Sequence, residues 1–159
     1  MKKEQLGALI LESQDTMYRV AKTLLQNDAD CADAIQESIV KAFSNLHTLR
    51  VDSYGRTWLI RILMNECYAI MRREKKLVFL EDYPQEERGK EREDYSDLYM
   101  AVRRLPEALR LPVVLYYVEG YSIKEVASLL EITESAVKNR LIRARKRMRE
   151  ELEPGVARG

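Results

Sequence analysis

The sequence predicts an all-α protein built as two small helical domains joined by an acidic connector. Three observations carry that expectation. Apolar residues recur at three- and four-residue spacings almost throughout the chain. Helix-starting chemistry precedes several of these patterns: Asn27 and Asp28, Ser122 followed by Glu125, and Thr133. The one run of strand-like composition, residues 113–118, lacks a neighbouring hairpin partner.

Taken in order, Leu6, Leu9, Ile10, Tyr18, Ala21, Leu24 and Leu25 mark a first helical segment. Ala32, Ile35, Ile39, Val40, Phe43 and Leu46 form the apolar face of a second, with Asp33, Gln36, Glu37 and Lys41 off that face. Residues 47–55 read as a loop, since Asp52, Ser53 and Gly55 are breakers. A third helix begins near Gly55, carries Trp58, Leu59, Ile62, Leu63 and Ile70 inward, and ends on Arg72, Arg73, Lys75 and Lys76. Cations suit a helix C-terminus. The second domain opens at residues 98–105. Pro106 and Pro112 each fit a first helical position, where the missing N–H costs nothing. Residues 112–119 then form a short apolar helix closed by Gly120. The expected boundaries are 1–77 and 98–153, with a flexible connector at 78–97 and a frayed tail at 154–159.

Charge sharpens this division. The 159 residues hold 27 basic and 26 acidic groups, for a net charge of +1. That small total is a cancellation. Residues 51–80 carry +3, residues 81–100 carry −5 and residues 138–159 carry +5. Each basic block can meet phosphate independently.

The sharpest local motif is SIKEVASLLEITESAVKNRLIRARKRM, residues 122–148. Ser122 and Glu125 make a capping box. Ile123, Val126, Ala127 and Leu130 face inward, and small Ala127 lets a second helix cross closely. Thr133 caps that helix, whose inner face is Ala136 or Val137 followed by Leu141, Ala144, Met148 and Leu152. Glu131 stands in the turn where many such units place glycine, and a positive φ there costs about 1 kcal/mol. Two short helices with this spacing, the second basic, describe a helix-turn-helix. Lys138 and Arg143 can read guanine, Asn139 can pair with adenine or touch phosphate, and Ile142 can meet a thymine methyl. Seven cations and no carboxylate lie between residues 138 and 149, so part of the affinity is salt-dependent phosphate binding.

Other classes are disfavoured. No apolar run approaches the ~18 residues of a membrane span, and no uninterrupted apolar signal core follows the first residues, so a cytoplasmic protein without membrane insertion is expected. Cys31 and Cys67 form no CxxC pair, and His47 is the single histidine. No metal cluster, phosphate loop or nucleophile with a positioned base is visible, so no cofactor, small-molecule substrate or enzymatic activity is expected.

Three stretches together resemble the bacterial RNA polymerase sigma factors. DADCADAIQESIVKAFSNL (28–46) is similar to their core-binding region two. GRTWLIRILMNECYAIMRR (55–73) is similar to their promoter-melting, minus-ten-reading helix. YVEGYSIKEVASLLEITESAVKNRLIRARKRM (117–148) is similar to region four. Two domains in this order with a short linker match the small extracytoplasmic-function (ECF) group. The resemblance implies a region-two three- or four-helix bundle and a region-four helix-turn-helix domain. It implies that Asp30, Asp33, Gln36 and Glu37 bind core polymerase at the β′ clamp helices. Asp33 and Glu37, four residues apart, share one helix face. It implies that Trp58, Arg61, Asn65, Arg72 and Arg73 serve the minus-ten element, although a buried tryptophan in the core is the stronger reading of Trp58. Ser135, Lys138, Asn139, Ile142, Arg143 and Lys146 match the minus-thirty-five-reading face, and Arg140 and Arg145 suit phosphate or helix-face contacts. The implied partners are core polymerase, including its β flap, promoter DNA and an anti-sigma factor. The alternative is a stand-alone helix-turn-helix regulator, which would bind duplex DNA tightly without polymerase.

Overall fold

A single expected N-terminal segment folds as two helices, α1 (Lys3–Glu12) and α2 (Gln14–Leu25), in a computed structural model that describes residues 1–81 and 97–152. Ser13 is the junction. Its N–H still reaches back to the carbonyls of Leu9 and Ile10, at 2.9 and 3.1 Å. Serine is a residue type that competes with the helix for backbone groups. The break re-phases α2, so Met17, Val20 and Ala21 enter the core while Tyr18, expected inside, is exposed.

α2 is closed by its C-cap Gln26, a left-handed residue with φ 63°, and α3 (Asp28–Ser44) starts two residues later. The Asn27 side chain caps α3 by accepting from the Asp30 N–H at 3.0 Å. The inner stripe of α3 is Cys31, Ala34, Ser38 and Ala42. This corrects the expected face. Ala32, Val40 and Phe43 point outward, with Val40 58% exposed. Small side chains let α3 lie close against α2 and α4. Ser38 is tolerated there because its hydroxyl donates to the Ala34 carbonyl at 2.6 Å.

Two 3₁₀ turns, Leu46–Thr48 and Asp52–Tyr54, lead into α4 (Gly55–Glu81). Gly55 is buried at this entry, where a Cβ would lie 3.2 Å from the side chains of Leu9 and Met1. Leu59, Ile60, Leu63, Met64, Cys67 and Ile70 of α4 face the core. The helix passes its expected end at the cations and runs for 27 residues, taking the first part of the expected connector with it. The remainder of the expected connector, residues 82–96, and the expected tail at 154–159 lie outside the described residues.

Contacts divide the chain into two units, Met1–Gly89 and Lys90–Gly159. In the second, α5 (Asp97–Arg103) and α6 (Glu107–Val113) are separated by a short turn in which Pro106 is the N-cap of α6, one place before the first helical position expected for it. Pro112 is not at a helix start. It lies buried inside α6, and a π-helical turn, Val114–Val118, follows at once. Proline supplies no N–H to the helical ladder, and the ladder widens to the π pattern just after it. The Glu119 N–H then bonds the Val114 carbonyl at 2.9 Å, five residues back. Gly120, at φ 77°, closes the segment as expected. α7 (Ile123–Leu130) and α8 (Glu134–Leu152) complete the unit, and an Arg104–Glu151 ion pair ties the loop after α5 to the end of α8. No strand occurs among the described residues.

Cys31 and Cys67 are fully buried in the first unit. Burial first, and the nearby Cys31 second, push the Cys67 thiol up to about 12. We expect neither thiol of the folded protein to react with an aromatic disulfide reagent at mildly alkaline pH, and both to react in concentrated guanidinium. Rapid labelling of the native chain would contradict this packing of α3 on α4.

Candidate nucleic-acid interface

The helix-turn-helix is built from local chemistry. The Ser122 hydroxyl accepts from the Glu125 N–H at 3.1 Å, and the Glu125 carboxylate accepts from the Ser122 N–H at 2.9 Å. Two helix N-terminal donors are thereby satisfied. α7 buries Val126, Ala127 and Leu129, with Leu130 half-buried rather than the deeper residue. Glu131 takes the left-handed turn position at φ 57°, ψ 44°. Thr133 caps α8 by accepting from the Ala136 N–H at 3.0 Å.

The phase of α8 follows from its buried residues, Val137, Leu141 and Ala144. Val137, not Ala136, is therefore the first inner residue. Ser135, Lys138, Asn139, Ile142, Arg143 and Lys146 all lie on the exposed side, at three- and four-residue spacings. Ile142 is 55% exposed, which is costly for an isoleucine in water and apt for one that meets a thymine methyl. Arg140 is half-buried and Arg145 exposed, on the flanks of this stripe.

In the first unit, the outward stripe of α4 carries Trp58, Arg61, Asn65 and Arg72, opposite the buried Leu63 and Cys67. Asn65 is exposed, so it is not a buried asparagine satisfying the backbone. Trp58 is half-buried rather than a core residue. Its indole N–H donates to the Thr48 hydroxyl at 3.1 Å, and Thr48 in turn donates to the Asn45 carbonyl at 2.7 Å. Trp58 thus braces the loop that precedes its own helix. Tyr54 in that loop is 64% exposed, one turn before Trp58. It escaped the sequence reading, and the signal was an aromatic residue standing among loop breakers.

Asp33, Gln36 and Glu37 lie exposed on α3, opposite its small-residue stripe, and Asp30 is half-buried nearer the cap. An open groove of about 750 Å³ runs between α3 and α4. Asp33, Gln36 and Glu37 form one rim, Glu66, Arg72 and Arg73 the other, over a floor of Ala34, Ala69 and Ile70. A Lys41–Glu66 ion pair links the two helices, and this bond raises the Lys41 ammonium above its ordinary value. The structure therefore brings three of the four acidic-helix residues together with Arg72 and Arg73, two residues expected at DNA. Asp30 is not part of that groove.

These faces define a helix-turn-helix DNA-binding protein whose other helical unit offers a second, mixed-charge surface. Among the described residues no cluster could hold a metal ion and no helix is long and apolar enough to cross a membrane. Comparison with known proteins is specific. The "Sigma-70 region 2" family matches residues 9–77, and "Sigma-70, region 4" matches residues 95–148. RNA polymerase sigma factor SigV of Bacillus subtilis (strain 168) is 32% identical over 160 residues, covering 96% of each chain. ECF RNA polymerase sigma factor SigM of Mycobacterium tuberculosis is 34% identical over 135 residues, covering 83% of this chain and 69% of that protein. The sigma factor RpoE of Bartonella quintana, in a co-crystal with the anti-sigma factor NepR, matches the fold with a TM-score of 0.80 at 24% identity. That match spans 96% of this chain and 97% of RpoE. The chain belongs to the sigma-70 family of RNA polymerase sigma factors, in its ECF group. Such factors act with core RNA polymerase and promoter DNA in transcription initiation and are not enzymes.

The turn and the cap predict stability changes of opposite sign. Ser122→Ala should destabilise the second unit by about 1 kcal/mol. Glu131→Gly should stabilise it by about 0.5–1 kcal/mol by relieving the left-handed strain. Urea unfolding followed by far-ultraviolet circular dichroism checks both, since the single tryptophan belongs to the other unit.

Proposed function

We propose the following division of labour within this sigma factor. Residues 1–77 dock on core polymerase and hold the minus-ten element. Residues 98–153 read the minus-thirty-five element as duplex. Polymerase performs the chemistry. The observation that carries this reading is the phase of the exposed side chains. On α3, α4 and α8 alike, the residues suited to a partner lie on the side away from the buried stripe, where a partner can reach them.

Asp33, Gln36 and Glu37, with Asp30 behind them, pair with basic side chains of the β′ clamp helices. Trp58, Arg61, Asn65 and Arg72 form a polar and cationic track for the minus-ten non-template strand, and exposed Tyr54 adds a flat surface on which an unstacked base can rest. Arg73, on the groove rim, neutralises either a phosphate or a partner carboxylate. In the second unit Lys138, Asn139, Ile142 and Arg143 address base edges, Ser135 and Lys146 extend the same face, and Arg140 and Arg145 meet phosphates. The β flap of polymerase holds this unit over its element. RpoE is bound to the anti-sigma factor NepR in its co-crystal. By analogy, an anti-sigma factor of this chain covers the polymerase-docking face until an envelope or stress signal releases it. The site of action is the cytoplasm. The stand-alone regulator reading is disfavoured by relatives that are sigma factors over nearly the whole chain.

Two outcomes follow. Asp33→Lys combined with Glu37→Lys should weaken capture by core polymerase at least about a hundredfold while leaving the circular dichroism spectrum unchanged, because both residues are exposed. Normal pull-down of core by that variant would refute the docking face. Lys138→Ala or Arg143→Ala should cost about 1–3 kcal/mol at the upstream element, with changed base preference, in run-off transcription by reconstituted holoenzyme on a promoter library. A uniform loss across all promoters would mean phosphate contacts instead.

A further inference from the structure

Lys22 is a charged residue buried on the core side of α2, at 6% exposure beside fully buried Val20 and Ala21. Its ammonium donates to the Gln26 carbonyl at 3.3 Å and to Asp28 Oδ1 at 2.9 Å. The same Asp28 oxygen accepts from the Tyr18 hydroxyl at 2.8 Å. Two residues of α2, Tyr18 and Lys22, therefore hold the first residue of α3 through one carboxylate oxygen. The intervening turn is strained, because Gln26 is a non-glycine residue at φ 63°.

Only the ammonium end of this pair is buried, since the Asp28 side chain is 70% exposed. Water screens the attraction on the carboxylate side and desolvation of the ammonium offsets the rest, so the pair is a poor source of net stability and a methionine of similar length would pack as well. What it supplies is geometry. The ammonium keeps its partners only when α3 leaves the turn in one direction. Asp30 and Asp33 lie within the next turn and a half, on the helix whose exposed side is the proposed docking face. The Asn27 cap fixes the backbone of that same first turn.

We infer that Lys22, with Tyr18 and Asp28, is a positioning element for polymerase docking: it holds the first turns of α3 in the one orientation that presents the acidic ridge. This inference rests on the docking reading above. The ion pair does not itself touch polymerase. It removes the alternatives that a mobile α3 N-terminus would populate, and each alternative would dilute the binding-competent state.

The test uses the full chain with core polymerase. The double variant Lys22→Met, Asp28→Asn removes the buried ammonium together with its exposed carboxylate partner, so no unpaired charge is left at this turn. We expect its urea midpoint to stay close to the parent value. We expect amide exchange in residues 28–33 to accelerate, and affinity for core to fall about tenfold. Tyr18→Phe, a change at a partly exposed position, should fold normally and weaken core binding by a smaller factor, about threefold. Unchanged core affinity in the double variant overturns the inference. If the double variant does not fold, Tyr18→Phe decides in the same way. The Asp33→Lys, Glu37→Lys control separates the two claims. Loss of capture in the control with normal capture in the Lys22 variant refutes only the positioning role. Normal capture in both refutes the docking reading as well.

Discussion

α3 meets α2 and α4 through Cys31, Ala34, Ser38 and Ala42, side chains that barely extend past the β-carbon. The alternative phase would bury Val40 and Phe43, worth about 1.5–3 kcal/mol each. It would also carry Asp33 inward, because Asp33 lies seven residues from Val40 and shares its side of the helix even though the apolar pattern alone set it off that face, and an unpaired interior carboxylate would cost several kcal/mol. The carboxylate decides the contest. Once it faces water, the small stripe must face the core, the three helices close up, and two large apolar residues remain outside. The acidic rim, the floor of the groove and the place of the Lys41–Glu66 pair all follow from that choice of phase.

The second unit depends on a different device. Its reading helix is aimed by end chemistry more than by bulk. The Ser122–Glu125 box starts α7, the left-handed Glu131 ends it, and Thr133 restarts the chain as α8 within three residues. Upstream, Pro112 and the π turn at Val114–Val118 shift the helical ladder before Gly120 releases it. Left-handed strain sits after α7, at Glu131, while the buried Val126, Val137 and Leu141 hold the pair together.

These contrasts explain what the sequence made legible. Caps and turns are local, so Ser122, Thr133, Gly120 and the awkward place of Glu131 could be read directly from residue type. The exposed face of α8 could be read as well, because its buried members, Val137, Leu141 and Ala144, are apolar and its outer members are cationic. α3 defeated the same method. Hydrophobic weight points to Val40 and Phe43, whereas helix separation, a property of three helices together, selects alanine and cysteine. Pro112 misled because proline is far commoner at a helix start than within one, and only the tertiary context shows a ladder that slips past it. The groove was invisible for a related reason. Arg72 and Arg73 look like the end of a DNA-facing helix, and nothing along the chain says that Asp33 and Glu37 lie across from them.

Arg72 belongs to two surfaces at once: it ends the outward stripe of α4 and lines the rim of the groove. A guanidinium offers one planar fork, which engages a phosphate or a carboxylate bidentately but not both in the same plane. On the proposed assignment, protein and nucleic acid would share a common binding group in the first unit. A ligand seated in the groove would register at the promoter as a lost counterion, altering the ionic-strength dependence of DNA binding without approaching any base.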